Sequence, residues 1–293
     1  MALSIHTNYS SLITQTNLSK TNNALGTNQQ RLGTGFRINS AADDAAGLQI
    51  ATRLNAQSRG MDVAIRNTSD AVSLLQTAEG AFSEMTDIVQ RMKDLSTQAA
   101  NDTNSADDRL ALSAEFNELG KELANIMTNT KYAGEALFDI AGTGGKFGTA
   151  GGMSFQIGAS ATETLALDVS ADVGTLTAAL GALNTQFAAA PAADQKLETQ
   201  AGANGAITLA ETALDEIGAL RAQFGANINR LNHTANNLGN MKDNTDMAKG
   251  RIMDADFAKE SASMSKNSML LQSGISMLKQ AGQMPGMVMS LLG

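Results

Sequence analysis

A chain of 293 residues can bury a core without covalent or metal staples, and its lack of cysteine excludes a disulfide framework, thiol catalysis and thiolate zinc sites. A formal charge of -8 argues against a nucleic-acid partner, which a basic face would serve. Nowhere do about 18 apolar residues run together, and the N-terminus lacks a basic stretch leading into an apolar core, so neither a membrane span nor a Sec-type signal peptide is predicted.

Only two prolines occur, Pro191 and Pro285. An interior proline costs a helix roughly 3 kcal/mol, so the first 190 residues are free to form very long helices. Near the N-terminus Leu18, Leu25 and Leu32 stand seven apart on an otherwise polar stretch, a narrow apolar seam suited to a coiled coil. In NSAADDAAG, Asn39, Ser40, Asp43 and Asp44 are good cap and first-turn residues, because their oxygens accept from free helix amides.

From Asp43 or Asp44 to about Ala100, residues Leu54, Met61, Ile65, Val72, Leu75, Phe82, Met85, Val89 and Met92 recur at steps of three, four or seven. This predicts one helix on the order of 80 Å long. A polar turn at Asn101 to Ser105 follows, and Leu112, Phe116, Leu119, Leu123 and Ile126 predict a second helix, antiparallel to the first. The Gly-rich stretch Ala141 to Gly152 reads as a loop. Beyond it Met153, Phe155 and Ile157, then Leu165, Leu167 and Val169, alternate as in a β-hairpin with one buried face. The Ala-rich stretch up to about Pro191 is ambiguous. A third long helix runs from about Asp194 past Met241, with Ile217, Phe224, Leu231 and Leu238 seven apart; the first long helix is its expected partner. A second seam, Phe257, Met264, Leu271 and Leu278, closes the sequence. Such seams cannot bury themselves in isolation, so the two ends are expected to pair with each other and with other subunits.

The fold class read from these elements is mainly α. It is an elongated bundle of long antiparallel helices with a small β-hairpin, whose terminal helices form a coiled coil on assembly. The expected divisions are an N-terminal segment at 1–42 that pairs with the C-terminus, a helical core at 43–140, a short middle region with the hairpin at 141–193, a C-terminal core helix at 194–252, and a C-terminal segment at 253–293.

The segment QRLGTGFRINSAADDAAGLQIATR, Gln30 to Arg53, closely resembles the N-terminal signature of bacterial flagellins. The ending DADFAKESASMSKNSMLLQSGISMLKQAGQMPGMVMSLLG is similar to their C-terminal signature, and MSFQIGA resembles the hairpin of the flagellin core. The resemblance spans residues 1 to about 140 and about 200 to 293, with a short middle that implies a compact form lacking large variable outer domains. It implies that the two end segments, 1–42 and 253–293, are those of polymerisation and that the middle, 141–193, is the family's variable region. It also implies a structural, non-enzymatic subunit of the extracellular flagellar filament, exported unfolded and ordered at its termini on assembly. Its implied partners are copies of itself, the flagellar export apparatus and its chaperone, the filament cap and hook-associated proteins, and host innate immune receptors, with no nucleic acid, no membrane and no cofactor. Another reading, the hook-filament junction protein, shares terminal features. A membrane-surface or adhesive module would use the same seams to hold lipid or a host ligand.

In VQRMKDLSTQAA the resemblance maps the residues of Toll-like receptor recognition onto Arg91 and Leu95, with Glu115 from the next helix. Arginine on a helix face is commonly solvated and leucine commonly core, so a purely structural role stands beside the receptor role. The segment sensed by plants corresponds to Gln30 through Ala51, but Gly33, Phe36 and Ala42 depart from the family's usual serine, leucine and lysine.

No residue set predicts catalysis. His6 and His233 are the sole imidazoles and belong to no HExxH pattern, and GTGGKFG lacks both the glycine spacing of a phosphate loop and a Ser or Thr after Lys146. The pairs Asp43 with Asp44, Asp107 with Asp108 and Asp254 with Asp256 read as helix N-terminal residues, and the fifteen methionines as adaptable packing groups.

Overall fold

The computed structural model of the chain describes residues 8–138, 145–149, 151–187 and 196–292. His6, residues 141–144 and 150 of the expected Gly-rich loop, Pro191 and Asp194 lie outside these. The elements in order are α1 (Tyr9–Thr34), α2 (Ala45–Ala99), α3 (Ala106–Asn129), β1 (Lys131–Tyr132), β2 (Glu135–Ala136), β3 (Met153–Gln156), β4 (Thr164–Leu167), α4 (Ser170–Leu183), α5 (Gln200–Met253) and α6 (Phe257–Leu292). They form two compact units, one of Met1–Ser58 with Asp243–Gly293 and one of Arg59–Lys242.

In the Arg59–Lys242 unit, α2 runs antiparallel to α5. Ion pairs between Asp62 and Lys242 at 2.6 Å, Glu79 and Arg221 at 2.9 Å, and Lys93 and Glu211 at 3.0 Å fix that direction, because one number rises as the other falls. The helical stripe read from the sequence is the buried one: Phe82, Met85, Val89 and Met92 of α2 and Ile217, Leu220, Phe224 and Leu231 of α5 belong to one core. The turn into α3 is held from both sides. Ser105 and Asp108 form a reciprocal capping box, and Arg109 donates through Nε to the Ala99 carbonyl at 2.9 Å and through Nη2 to that of Asn101 at 3.1 Å. The Ala99 carbonyl at the end of α2 and the Asn101 carbonyl just beyond it are thereby satisfied by a side chain.

The expected hairpin is β3 against β4, with Met153 opposite Leu167 and Phe155 opposite Leu165. Leu165, Leu167 and Val169 are buried, in agreement with the alternation. A smaller hairpin, β1 with β2, was not legible in advance. Its turn takes Ala133 at φ 52 and Gly134 at φ 86, the left-handed pair that a two-residue hairpin needs. The ambiguous Ala-rich stretch contains α4, whose Val173, Leu176, Leu180 and Leu183 are buried.

Four phenylalanines close a ring of contacts inside this unit. Phe82 of α2 lies 4.9 Å from Phe138 and 5.5 Å from Phe224 of α5, while Phe147 lies 5.8 Å from Phe138 and 5.0 Å from Phe224. The rings tie the segment after β2 to both long helices, and such tilted pairs contribute about 0.5–1.5 kcal/mol each beyond burial. Asn184 is fully buried, donates its amide to the Phe116 carbonyl at 3.1 Å, and sits against Gly120 of α3.

Candidate assembly surface

The two apolar seams meet in the unit formed by Met1–Ser58 and Asp243–Gly293. Asn8 caps α1 by accepting from the Ser11 amide at 3.0 Å, and its Nδ2 donates to the Ala281 carbonyl of α6 at 2.7 Å. Midway, the end of the Leu18 side chain lies 2.8 Å from where a Cβ on Gly274 would stand. Near the far end Arg31 Nη1 is 3.2 Å from Glu260 Oε1. Rising numbers on α1 therefore meet falling numbers on α6, and the pair is antiparallel.

Leu18, Leu25 and Leu32, with Met264, Leu271 and Leu278, are all half-buried along this pair. Phe257 departs from the expected seam, being 60% exposed. It is the first residue of α6, and the register extends to Thr34 and Gly35 opposite it, where α1 ends and offers no large side chain. The outer faces carry further apolar groups: Leu12 and Ile13 on α1, and Met269, Leu270 and Met277 on α6, are exposed by 44–65%.

The linkers beside this pair join through the backbone. Gly35 ends α1 at φ 75, a left-handed cap that glycine adopts without strain, and its amide donates to the Arg31 carbonyl at 2.9 Å. Arg37 then donates its amide to the Met253 carbonyl at 2.6 Å, and Ala255 donates to the Gly35 carbonyl at 2.9 Å. Ile38 buries its side chain beside this junction at 1% exposure. In NSAADDAAG one carboxylate oxygen of Asp43 accepts from the amides of Asn39 and Ser40 and from the Ser40 hydroxyl, while Asp44 accepts from the Gly47 amide at 2.8 Å as the first turn of α2 forms. The Asn39 amide, then that of Ser40, holds the Asp43 carboxyl below its ordinary range. Asp256 likewise accepts from the amides of Ala258 and Lys259 at the start of α6. Asp44 and Asp256 thus serve helix starts, whereas Asp43, expected to cap α2, instead closes the turn that precedes it.

Arg91, Leu95 and Glu115 belong to the other unit and do not share one exposure. Arg91 on α2 reaches Glu115 on α3 through Nε at 3.0 Å and Nη2 at 2.7 Å, and both side chains are about half exposed. Leu95 is buried at 1%, so its methyl groups pack inside the helical core instead of facing solvent. His233 is exposed on α5. Among the described residues no helix is long and apolar enough to cross a membrane.

The sequence reading missed the most buried residue of α1, Asn28. Asparagine on a polar helix reads as solvated, and its one distinguishing signal is its spacing, three residues beyond Leu25 on the seam face.

Two family models match: the bacterial flagellin N-terminal helical region over residues 5–143, and the bacterial flagellin C-terminal helical region over residues 207–292. The chain belongs to the bacterial flagellin family. Flagellin A of Vibrio anguillarum is 35% identical and flagellin D of Vibrio cholerae 33% identical, each over 100% of both chains. The alignment with the former runs to 386 positions against the 293 residues here, so that flagellin carries insertions this one lacks. A solved structure from Vibrio parahaemolyticus, provisionally named a flagellar hook-associated protein, aligns with TM-score 0.56 over 72% of this chain and 100% of its own. At 14% identity, that likeness concerns the fold alone.

Proposed function

We propose that this flagellin polymerises through its two terminal helices, with the α1–α6 pair as the contact surface between subunits. A flagellin is a structural subunit of the bacterial flagellar filament, an extracellular assembly, and the family is a structural one. Full-length likeness to proteins named flagellin favours that role over the hook-filament junction.

The observation that carries the terminal-helix reading is the pairing of α1 with α6 by a half-buried seam that leaves Leu12, Ile13, Met269, Leu270 and Met277 in solvent. Residues of that size on both sides of one helix pair form a surface suited to further chains. The seam residues Leu18, Leu25, Leu32, Met264, Leu271 and Leu278 hold the pair, and Phe257 is available to a neighbouring subunit. Export in an unfolded state, with a chaperone on the way and a filament cap at the tip, fits termini that gain most of their packing on assembly. Host innate immune recognition is proposed to use the exposed Arg91 and Glu115, with Leu95 acting from the core by holding α2 in shape.

Deleting Gln272 to Gly293 tests this reading. The expected product is soluble and largely helical by circular dichroism but does not polymerise on filament seeds; growth at the full-length rate would overturn the role given to α6.

A further inference from the structure

The apolar positions of the terminal pair do not define a register. In α6, Met264, Leu271 and Leu278 repeat every seven residues, as do Leu18, Leu25 and Leu32 in α1. Sliding one helix by seven residues sets leucine or methionine against leucine again, so the hydrophobic gain is nearly unchanged along most of the contact. The positions three residues on differ from one another: Glu260, Asn267, Gly274 and Ala281 in α6, with Thr21 and Asn28 in α1.

Those positions hold a polar cluster inside the seam. Asn28 is 8% exposed. With its amide oriented by its neighbours, it donates to the Ala24 carbonyl and to Glu260 Oε2, both at 3.2 Å. Its oxygen accepts from Asn267 Nδ2 at 3.2 Å and from the Met264 amide at 3.3 Å. The other Glu260 oxygen takes Arg31 Nη1 at 3.2 Å, and the two side chains are only 13% and 27% exposed. Arg31 Nε is buried with no hydrogen-bond partner, a cost that hydrophobic residues here would not carry.

We infer that Asn28, Arg31, Glu260 and Asn267 are the register-setting residues of the terminal helix pair, selecting one antiparallel alignment among those the apolar heptads allow. A seven-residue slip in one direction puts Asn267 where Glu260 stands and Gly274 where Asn267 stands. Arg31 then loses its carboxylate, and the enclosed Asn28 loses the Asn267 amide to a glycine and faces an uncharged, shorter side chain in place of the Glu260 carboxylate. A half-buried charge without its counterpart costs far more than the pair contributes when formed, so discrimination comes from the penalty on wrong alignments. A buried asparagine fixes coiled-coil alignment in the same way. The inference deepens the terminal-helix reading of the assembly and rests on it.

The chain has no native cysteine, so register can be read by cross-linking. Two full-length reporters are made: Leu18→Cys with Gly274→Cys, which face each other, and Leu18→Cys with Ala281→Cys, which would face each other after a seven-residue slip. Each is oxidised in pelleted filaments grown on seeds. With the cluster intact, the first pair is expected to close and the second to remain at least ten-fold lower. Replacing Asn28, Arg31 and Glu260 together by leucine should raise the second pair several-fold. Arg31→Glu alone should lose the preference, and Arg31→Glu with Glu260→Arg should restore it, which a nonspecific defect in folding would not do. Unchanged selectivity in the leucine variant, or no rescue by the charge swap, would overturn the inference. A reporter that fails to pellet with its cluster intact would instead count against the terminal-helix reading; the same two pairs, read on the soluble chain by the same criteria, then decide the register inference separately.

Discussion

Arg91 of α2 clasps Glu115 of α3, with its Nε at 3.0 Å and its Nη2 at 2.7 Å from one carboxylate oxygen, and both side chains remain about half exposed. Exposed pairs of this kind contribute between zero and about 1 kcal/mol. Arg91→Ala is therefore expected to leave urea unfolding nearly unchanged while lowering Toll-like receptor signalling in a reporter-cell assay. Full signalling by this variant would contradict the recognition role of Arg91.

Leu95, one helical turn beyond, is buried in the core. Leu95→Ala is expected to destabilise the Arg59–Lys242 unit by about 2–5 kcal/mol through lost packing and the cavity left behind. A change below about 0.5 kcal/mol in urea unfolding would contradict this placement, since only surface substitutions are ordinarily so mild. Any signalling defect in this variant should shrink under conditions that restore the fold.

Gly120 of α3 has no room for a side chain: a Cβ there would stand 2.5 Å from the buried amide of Asn184. Gly120→Ala should cost about 1–3 kcal/mol, the range for overpacking, despite the gain in helix propensity. Chemical denaturation of the variant checks this, and a more stable protein would contradict the close approach.

The Ser105 hydroxyl, then its amide, holds the Asp108 carboxyl below its ordinary range. A depressed carboxylate favours the folded state above its unfolded pKa, near about 3.9, and that contribution is lost as pH falls through the folded value. The start of α3 should thus loosen only in acid below the ordinary carboxylate range. Ser105→Ala should move the Asp108 titration upward, as read from carboxyl carbon shifts by nuclear magnetic resonance; an unmoved titration would contradict the capping box as its cause.

Long helices were legible because their stripes persist over many turns: along the α2 stripe from Met61 to Met92 only Ile65 and Val72 are less than fully buried. Its start was legible because Asp44 acts locally on the Gly47 amide of the first turn, while Asp43 closes the turn just before it through the amides of Asn39 and Ser40. The β1–β2 hairpin was hidden, since strands of two residues have no alternation to read and Ala133 is not a residue that advertises φ 52. α4 was hidden although Val173, Leu176, Leu180 and Leu183 keep helical spacing, because the surrounding alanines fit several structures. At the terminal pair the heptads were visible but their alignment was not. That depends on which polar residues face one another across more than 200 positions of sequence, as Arg31 and Glu260 do.

Seeded polymerisation of the full-length chain, followed by sedimentation and negative-stain electron microscopy, tests the filament-subunit role most directly. Added to fragments of flagellar filament in the presence of a precipitant, the chain is expected to pellet as long tubes extending from the seeds. A chain that stays in the supernatant as monomers, or that stops as short caps on the seeds, would contradict it.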